Sequence, residues 1–271
     1  MNNVKKEDYM DAAQEKEYKK NVLKLALFVG ELMIKNGAET SRVEDSVLRI
    51  CRSQGFHHAN VFTTPTVVII SDEKFDGFCF MKTIDKRGIN LNKISLLNNF
   101  SREFCSIKNP DIDKAIAELY EIDRTPPYPS WFFYSCTGLA SACFAYIIGG
   151  NQLLNFIFTF IVAIIGDIIY DKIMKISSIS AFSCVVSSFA ITVLGVIFTE
   201  LKIISTPTML IVGSIMPLLP GVAVIKSIRD LIAGNLISGI SRIFDAFMVL
   251  LAIASGVGVV LDLWLKMGGV L

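Results

Sequence analysis

The spacing of apolar and polar positions changes about halfway along the chain. Up to residue 123, apolar side chains recur at helical spacing in four segments, while three other segments are rich in β-branched and aromatic residues. The helical segments are 15–36, 41–54, 92–106 and 111–123, and the predicted strands are 60–64, 66–71 and 77–84, of which the last two form a hairpin. After residue 130 the apolar positions run together in long blocks. This pattern predicts a small cytosolic α+β domain followed by an all-α transmembrane bundle.

Turn and capping residues mark the ends of the predicted helices. Gly37 is suited to a left-handed stop after the first helix. Ser41 and Glu44 match a capping box, in which the serine caps the second helix and the glutamate reaches back towards it. Asp111 is placed to cap the fourth helix. The capping box accounts for most of the polar run 37–45 without any substrate.

A proline-rich segment separates the two parts of the chain. Residues 124–130 contain three prolines, which favour an extended path and forbid a continuous helix. We therefore predict a cytosolic domain at 1–129 and a transmembrane domain at 130–271. The first 129 residues carry 19 basic and 19 acidic side chains and the remainder carries only 7 and 6, so the charge density changes at the same boundary.

The second part contains five apolar segments of about the length that crosses a bilayer, which is about 20 residues. They are 131–149, 152–171, 179–199, 203–225 and 243–264. With the N-terminal domain in the cytoplasm, the short inward loops carry five Lys or Arg residues, and the outward loop and tail carry two. This distribution agrees with the positive-inside rule, and five spans then place the C-terminus outside the cell.

The fourth predicted span is interrupted by prolines. Pro217 and Pro220 lie in an otherwise apolar run, and Gly221 follows at once. Proline removes a backbone donor and clashes with the preceding turn, so this helix must kink or break. The freed carbonyl groups cannot face lipid, and in secondary transporters such breaks often hold the substrate. We therefore expect these three residues to contribute to substrate binding or gating.

A polar segment, 226–242, links the fourth and fifth spans. Its apolar side chains share roughly one helical face, while its other faces carry Lys226, Arg229, Asp230, Asn235 and Arg242. The pattern predicts one amphipathic helix that lies at the inner membrane interface or dips into the bundle, and that Gly234 and Gly239 could bend. Because the segment directly follows the proline break, we expect it to form an inner gate that includes Asp230 and Arg242. An ordinary interfacial connector is the alternative.

Ionisable residues in apolar spans are costly and usually face the protein interior or water. Asp167 and Asp171 lie four residues apart on the second span, and therefore on one helical face, and Asp245 lies three residues into the fifth span. An aspartate can carry a proton in exchange for a solute, so we assign these three residues to coupling. Asp171 and Asp245 lie near span ends, where headgroup contact is the alternative, and Asp167 lies about one turn deeper.

Small residues recur every four positions on the fifth span. Ala252 pairs with Gly256 in this way, and Ala254 pairs with Gly258. Such pairs allow two helices to approach closely. They can pack within one chain or against another subunit, and the sequence leaves both possibilities open.

Composition supports a membrane protein and argues against several other classes. Apolar residues make up 52 % of the 271 positions, and the net charge of +1 argues against a nucleic-acid surface. His57 and His58, the only histidines, are adjacent and would point to opposite faces of a strand, so they are poor co-ligands for a metal. The six cysteines show no CxxC pairing and are expected to be free thiols. No phosphate-binding loop or catalytic motif is present, so we predict no metal, no cofactor and no enzymatic activity.

Three motifs resemble those of the threonine/serine exporter family. They are Gly37-Ala-Glu-Thr-Ser-Arg-Val-Glu44, Pro220-Gly221, and the run RDLIAGNLISGISR from Arg229 to Arg242. The three motifs occur in this order along the chain, and the resemblance covers about residues 15–265. Within the family, the chain resembles the longer, YjjP-like component of a split, two-component form.

The resemblance implies an exporter of small polar metabolites in a bacterial inner membrane. The broken fourth span and the acids in the spans favour an exporter that is driven by a gradient. Some members of the family export threonine and serine, and split members export succinate-like dicarboxylates. The resemblance also implies a second small multi-span membrane chain as a partner, in addition to membrane lipids. Two alternatives remain open: a membrane-anchored enzyme or sensor that acts through residues 1–129, and a structural subunit that only stabilises another transporter.

Overall fold

The computed structural model describes residues 12–74, 79–85, 87–108, 110–149, 152–204 and 207–269, with side chains from residue 16. The chain divides into two compact units. Unit 1 comprises Met1–Pro127 together with Lys226–Arg242, and unit 2 comprises Tyr128–Ile225 together with Ile243–Leu271. The segment between the fourth and fifth predicted spans therefore packs with the N-terminal residues and belongs to unit 1.

Unit 1 contains four helices and three strands before residue 127, within the residues that the structure describes. They are α1 (Ala12–Lys35), α2 (Thr40–Ser53), β1 (Ala59–Thr63), β2 (Val67–Asp72), β3 (Cys79–Thr83), α3 (Leu91–Ser106) and α4 (Ile112–Arg124). The strands form an antiparallel sheet in the order β1-β2-β3, with Val61 opposite Ile70 and Ile69 opposite Met81. The predicted helices and the predicted hairpin are confirmed, and the turn that joins β2 to β3 lies outside the described residues.

The centre of unit 1 is α1. Its apolar side chains are buried on several sides, because α2, the sheet and both later helices pack around it. The fully buried residues of α1 include Val22, Leu23, Leu25, Leu32 and Met33. The core continues into the sheet through Val68 and Ile70. This burial of apolar area is the main favourable contribution to the folding of the unit.

The ends of the helices follow the predicted turn chemistry in two places and differ in a third. Gly37 adopts φ +85° after α1, a conformation that glycine reaches without steric cost. The Asp111 side chain accepts hydrogen bonds from the first backbone amides of α4. The capping box, however, is wrong: α2 begins at Thr40, and Ser41 lies inside its first turn. Glu39 takes the cap position without a side-chain cap bond, because its carboxylate pairs with Arg229 instead.

Unit 2 and the segments that join it to unit 1 contain the apolar helices. They are α5 (Ser130–Ile148), α6 (Leu153–Ser177), α7 (Ser180–Glu200), α8 (Pro207–Ile215), a 3-10 turn (Met216–Leu218), α9 (Gly221–Ile232) and α10 (Leu236–Lys266). Among the described residues, α5, α6, α7 and α10 are long and apolar enough to cross a membrane. Pro207–Leu218 and Gly221–Ile232 form a bent pair with an angle of 54°. Five spans result only if this pair counts as one.

The predicted single amphipathic helix at 226–242 is wrong. The segment is split between the second half of α9 and the first turns of α10, which continues without a break into the fifth predicted span. Gly234 makes the turn at φ +86°. Gly239 does not bend the chain, because its lack of a side chain serves close packing: a Cβ there would lie 2.6 Å from the Leu231 side chain and 3.0 Å from the Ser227 carbonyl oxygen.

Candidate functional site

The loop between α1 and α2 meets the segment 226–242 inside unit 1. This loop and the first residues of α2 carry the polar motif 37–44, which the sequence pattern assigned to helix capping. The carbonyl groups of Gly37 and Ala38 follow the C-terminal end of α1, where a helix attracts positive charge. Lys226 Nζ donates a hydrogen bond to the Gly37 carbonyl, and Arg242 Nη2 donates one to the Ala38 carbonyl at 3.1 Å. Two cations from distant sequence positions therefore hold one turn.

A buried carboxylate lies at the centre of this contact. Asp230 is 0 % exposed, and its Oδ2 lies 3.1 Å from Arg242 Nε and accepts a hydrogen bond from Thr40 Oγ1 at 3.2 Å. Asp230 Oδ1 has no hydrogen-bond partner among the described residues. The two residues that the sequence assigned to gating, Asp230 and Arg242, are thus brought into direct contact. We call these two residues with Thr40 the Asp230 cluster.

Two further bonds fasten the segment to unit 1 at its edges. Arg229 pairs with the carboxylate of Glu39, at a site where the arginine is more than half exposed. Ser238 Oγ donates to the Thr63 carbonyl at the end of β1, at 3.2 Å. Sequence reasoning did not assign a role to Glu39, Thr40 or Lys226. The signal in the sequence that could have found these contacts was the opposite charge of two polar motifs about 190 residues apart. Both motifs also carry the family resemblance.

The amphipathic pattern of 226–242 is turned with its polar side towards the protein. Ser227, Asp230 and Ser238 are buried against unit 1. The apolar residues are exposed instead: Ile228, Ile232, Leu236, Ile237 and Ile240. An exposed apolar face rimmed by polar residues is typical of a surface that meets a membrane or a partner. These three buried polar residues of the segment are therefore structural contacts of unit 1 rather than part of its solvated surface.

The Glu44 carboxyl on α2 faces the same cluster. Burial raises the pKa of Glu44 above its ordinary value, a hydrogen bond from the Thr63 backbone lowers it, and the Asp230 carboxylate raises it further. The net direction is upward. Because folded Glu44 binds its proton more tightly than unfolded Glu44, its ionisation removes stability as the pH rises.

We expect this pH effect to disappear in Glu44→Gln. As the pH rises from about 4.5, the ordinary value, through the raised value, the wild-type unit 1 should lose stability and the variant should lose less. Urea unfolding followed by hydrogen exchange of α2 peptides at several pH values measures the difference. Glu118→Gln, on the exposed face of α4, is the control and should retain the wild-type profile. Parallel profiles for Glu44→Gln and wild type would contradict the assignment.

The predicted coupling acids on α6 each meet a hydroxyl group from α5. Thr137 Oγ1 donates to Asp167 Oδ2 at 2.5 Å, and the Tyr134 hydroxyl donates to Asp171 Oδ2 at 2.6 Å. Asp167 is buried and Asp171 is half-buried. The expectation that the two acids share one helical face is confirmed. Asp245, the third predicted acid, lies on an exposed part of α10.

The predicted helix break is confirmed. Pro217 lies within the 3-10 turn, and Pro220 directly precedes α9. The amide of Leu219 bonds to the Met216 carbonyl at 3.2 Å, and the amide of Gly221 bonds to the Leu219 carbonyl at 2.9 Å. These short-range bonds replace part of the α-helical pattern where proline interrupts it. Gly221 is exposed, and a Cβ at this position would meet no atom within 4 Å.

The described residues hold no group of three or more His, Cys, Asp or Glu side chains that could bind a metal ion. The six cysteines are free, with Cys51 and Cys184 buried and Cys79, Cys136 and Cys143 exposed. The chemistry of the described sites is therefore that of hydrogen bonds and carboxylates.

The chain is similar to known proteins over most of its length. The family of threonine/serine exporters (ThrE) matches residues 24–264. The "Probable succinate transporter subunit YjjP" of Klebsiella aerogenes is 23 % identical over 255 residues, which cover 92 % of this chain and 96 % of that protein. The protein of the same name from Escherichia coli is 23 % identical over 253 residues, with the same coverage.

A third relative is about twice as long. The "Probable threonine/serine exporter" of Mycobacterium tuberculosis is 21 % identical over 245 residues, which cover 88 % of this chain but 45 % of that protein. No solved structure matches the chain. The matched family region contains the three residues of the Asp230 cluster, the acids on α6 and the helix break.

Proposed function

Because this chain belongs to the threonine/serine exporter family, we propose that it is one subunit of an exporter that moves small polar metabolites out of the cytoplasm. The family and the apolar helices identify a multi-pass membrane protein. The observation that carries the proposal is the bend of 54° between Pro207–Leu218 and Gly221–Ile232. A break of this kind frees main-chain groups that cannot face lipid, and a polar solute can satisfy them.

The substrate is a hydroxy amino acid or a succinate-like dicarboxylate. The two YjjP relatives carry succinate in their names, and the longer relative carries threonine and serine. A second membrane chain completes the exporter. Two observations support this partner: the YjjP relatives are named as subunits, and this chain matches 45 % of the longer relative.

The protein lies in the inner membrane with its N-terminus in the cytoplasm and, with five spans, its C-terminus outside. The distribution of Lys and Arg residues between the loops supports this orientation. Residues 1–129 form the cytosolic domain, and the exposed apolar side chains of 226–242 support a position of that segment at the inner interface. An imposed ion gradient drives export, and Asp167 and Asp171 carry protons during the cycle, assisted by Asp245.

The Asp230 cluster acts as the inner gate, next to Pro217, Pro220 and Gly221 in sequence. Its contacts fix the polypeptide that directly follows the broken helix. A gate of this kind closes when Asp230 bonds to Arg242 and opens when the loop between α1 and α2 releases the segment. The carboxylate and the guanidinium are then free to meet the charged groups of a solute.

Labelled solute in membrane vesicles tests the proposal directly. Vesicles from cells that express the chain, together with a candidate partner chain, are loaded with labelled threonine, serine or succinate, and release is measured under an imposed pH gradient. We expect release above that of vesicles without the chain for at least one solute. Background release of all three under every gradient would overturn the proposal.

We expect Asp167→Asn to reduce release about ten- to hundredfold, because a hydrogen bond to a charged group contributes about 1.5–3 kcal/mol and the amide carries no proton in exchange. Asp262→Asn is the matched control, since Asp262 is exposed and pairs only one turn away with Lys266. It should release solute at a rate close to that of the wild type. Equal rates for the two variants, at equal amounts of inserted protein, would remove Asp167 from the mechanism.

A further inference from the structure

Three buried polar atoms in unit 2 have no hydrogen-bond partner among the described residues. They are Ser141 Oγ on α5, Asn155 Oδ1 on α6 and Thr159 Oγ1 on α6. The three residues are 1 %, 6 % and 0 % exposed. Burying a polar group without a partner is unfavourable, and folded proteins rarely retain several in one place unless they serve a function.

Other hydroxyl groups of the apolar helices α5 and α7 are satisfied locally. Ser135, Thr192 and Thr199 donate to a carbonyl four residues earlier in their own helix. This is the usual arrangement for serine and threonine inside a helix. Ser141 and Thr159 do not make this bond, although both lie inside continuous helix. Their hydroxyl groups are therefore available to a ligand.

The three side chains lie at the same end of the bundle. Ser141 lies seven residues before the end of α5, and Thr159 lies six residues after the start of α6. Both are therefore about 9–11 Å from the ends that the α5–α6 connection joins. Asn155 lies one turn closer to that end. The row of every fourth residue on α6 continues from Asn155 and Thr159 through Ala163 to Asp167 and Asp171. Because each step of four residues turns the row by about 40°, Asp167 lies about 12 Å beyond Thr159 along α6 and about 80° around it.

A glycine brings a third helix against the same place. A Cβ on Gly213 of α8 would lie 2.6 Å from Ala145 Cβ, 3.0 Å from Thr159 Cγ2 and 3.1 Å from the Ser141 carbonyl oxygen. The next residue, Ser214, donates a hydrogen bond to the Thr159 carbonyl at 3.5 Å. Four residues later α8 has given way to the proline break. The unsatisfied atoms thus lie beside the half-helix that leads to the break.

We infer that Ser141, Asn155 and Thr159 form a binding site for the ammonium and hydroxyl groups of a small amino acid. The amide oxygen accepts hydrogen bonds, and the two hydroxyl groups can accept or donate them. The described helices α5, α7 and α8, and α6 up to Asp171, contain no Lys or Arg, while α6 carries the two acids Asp167 and Asp171. A dicarboxylate would find no countercharge there, whereas an ammonium group is attracted. This inference rests on the proposed export function and selects the amino acid from the two substrate classes.

Thr159→Val tests the site, because it removes the hydroxyl group and keeps the shape. Vesicles that contain the full chain are loaded with labelled threonine or with labelled 2-aminobutyrate, which lacks the threonine hydroxyl. We expect the variant to release threonine about tenfold more slowly or worse, with little change for 2-aminobutyrate. Thr192→Val is the matched control, since Thr192 is equally buried but its hydroxyl bonds to Ser188 in its own helix. It should retain the wild-type preference for threonine.

A second measurement separates a role in binding from a role in folding. Since the Thr159 hydroxyl has no partner in the described structure, Thr159→Val should unfold in detergent at a temperature equal to or above that of the wild type. A lower unfolding temperature, with both solutes slowed equally, would overturn the binding site. The binding site would also be overturned if Thr159→Val kept the wild-type preference for threonine over 2-aminobutyrate.

The outcomes also distinguish this inference from the export function. Release of succinate without release of threonine would support the proposed export function but refute an amino acid as the substrate. Background release of all labelled solutes would refute the proposed function and the site together. Faster release of threonine than of succinate, lost in Thr159→Val and kept in Thr192→Val, supports both.

Discussion

Replacing Arg242 with methionine should weaken unit 1 by about 3–5 kcal/mol, because the Asp230 carboxylate would remain buried without a countercharge. The variant keeps an unbranched side chain, so the change isolates the loss of charge and of the bond to the Ala38 carbonyl. Hydrogen exchange of the detergent-solubilised full chain reports the effect. Protection in peptides that cover residues 37–44 should fall by about two to four orders of magnitude.

Arg229→Ala is the matched control for this experiment. Its ion pair with Glu39 joins the same two segments, but the Arg229 side chain is 57 % exposed, whereas that of Arg242 is 14 % exposed. An exposed pair contributes about 1 kcal/mol or less. Asp230→Leu combined with Arg242→Met should recover most of the protection, since an apolar pair can replace a buried ion pair. Equal effects of Arg229→Ala and Arg242→Met would contradict a cluster built around a buried charge.

A methyl group at Gly256 should destabilise the packing of α10 against α7 by about 1–3 kcal/mol. A Cβ there would lie 2.1 Å from Ser188 Oγ and 2.5 Å from the Val185 carbonyl oxygen, so the backbone of one helix must move. Trp264 on α10 donates a hydrogen bond to Glu200 at the end of α7, at 2.7 Å. Its fluorescence therefore reports the separation of these two helices during thermal unfolding.

The control for Gly256→Ala lies two residues further along the same helix. A Cβ on Gly258 would meet nothing within 4 Å, so Gly258→Ala should be neutral or should stabilise by up to about 1 kcal/mol through helix propensity. A stable Gly256→Ala variant would show that α7 and α10 do not pack closely in the membrane. The comparison also separates the two small-residue pairs of the sequence: Ala252 and Gly256 pack within the chain, and Ala254 and Gly258 remain exposed.

Local sequence chemistry determined the helix ends that involve special residues and the break after α8. Gly37 must stop α1 because only a residue without a side chain enters the left-handed region freely. Pro217 and Pro220 must interrupt α8 because each removes a backbone donor. The acids on α6 share a face because four residues make about one helical turn. These are properties of neighbouring residues, so the sequence alone predicts them.

Ser41 shows where local rules fail. The sequence contains a complete capping box, but Glu39 is held by Arg229 and Thr40 by Asp230, and α2 starts one residue earlier. The same distant contacts turn the polar side of the amphipathic segment 226–242 towards the protein and leave its apolar side exposed. The sequence shows the pattern of charged and apolar residues in this segment. It does not predict that the charged side is buried against a protein surface.

The sequence by itself determined most of the helices and strands, and the interruptions at Gly37, Pro217 and Pro220, because those properties depend on residues a few positions apart. Only the tertiary structure decided that residues 37–44 meet residues 226–242, and that Ser141, Asn155 and Thr159 remain unsatisfied in the bundle. The physical reason is that a buried polar group takes whichever partner the fold brings to it. The spacing of residues along the sequence does not predict which partner that is.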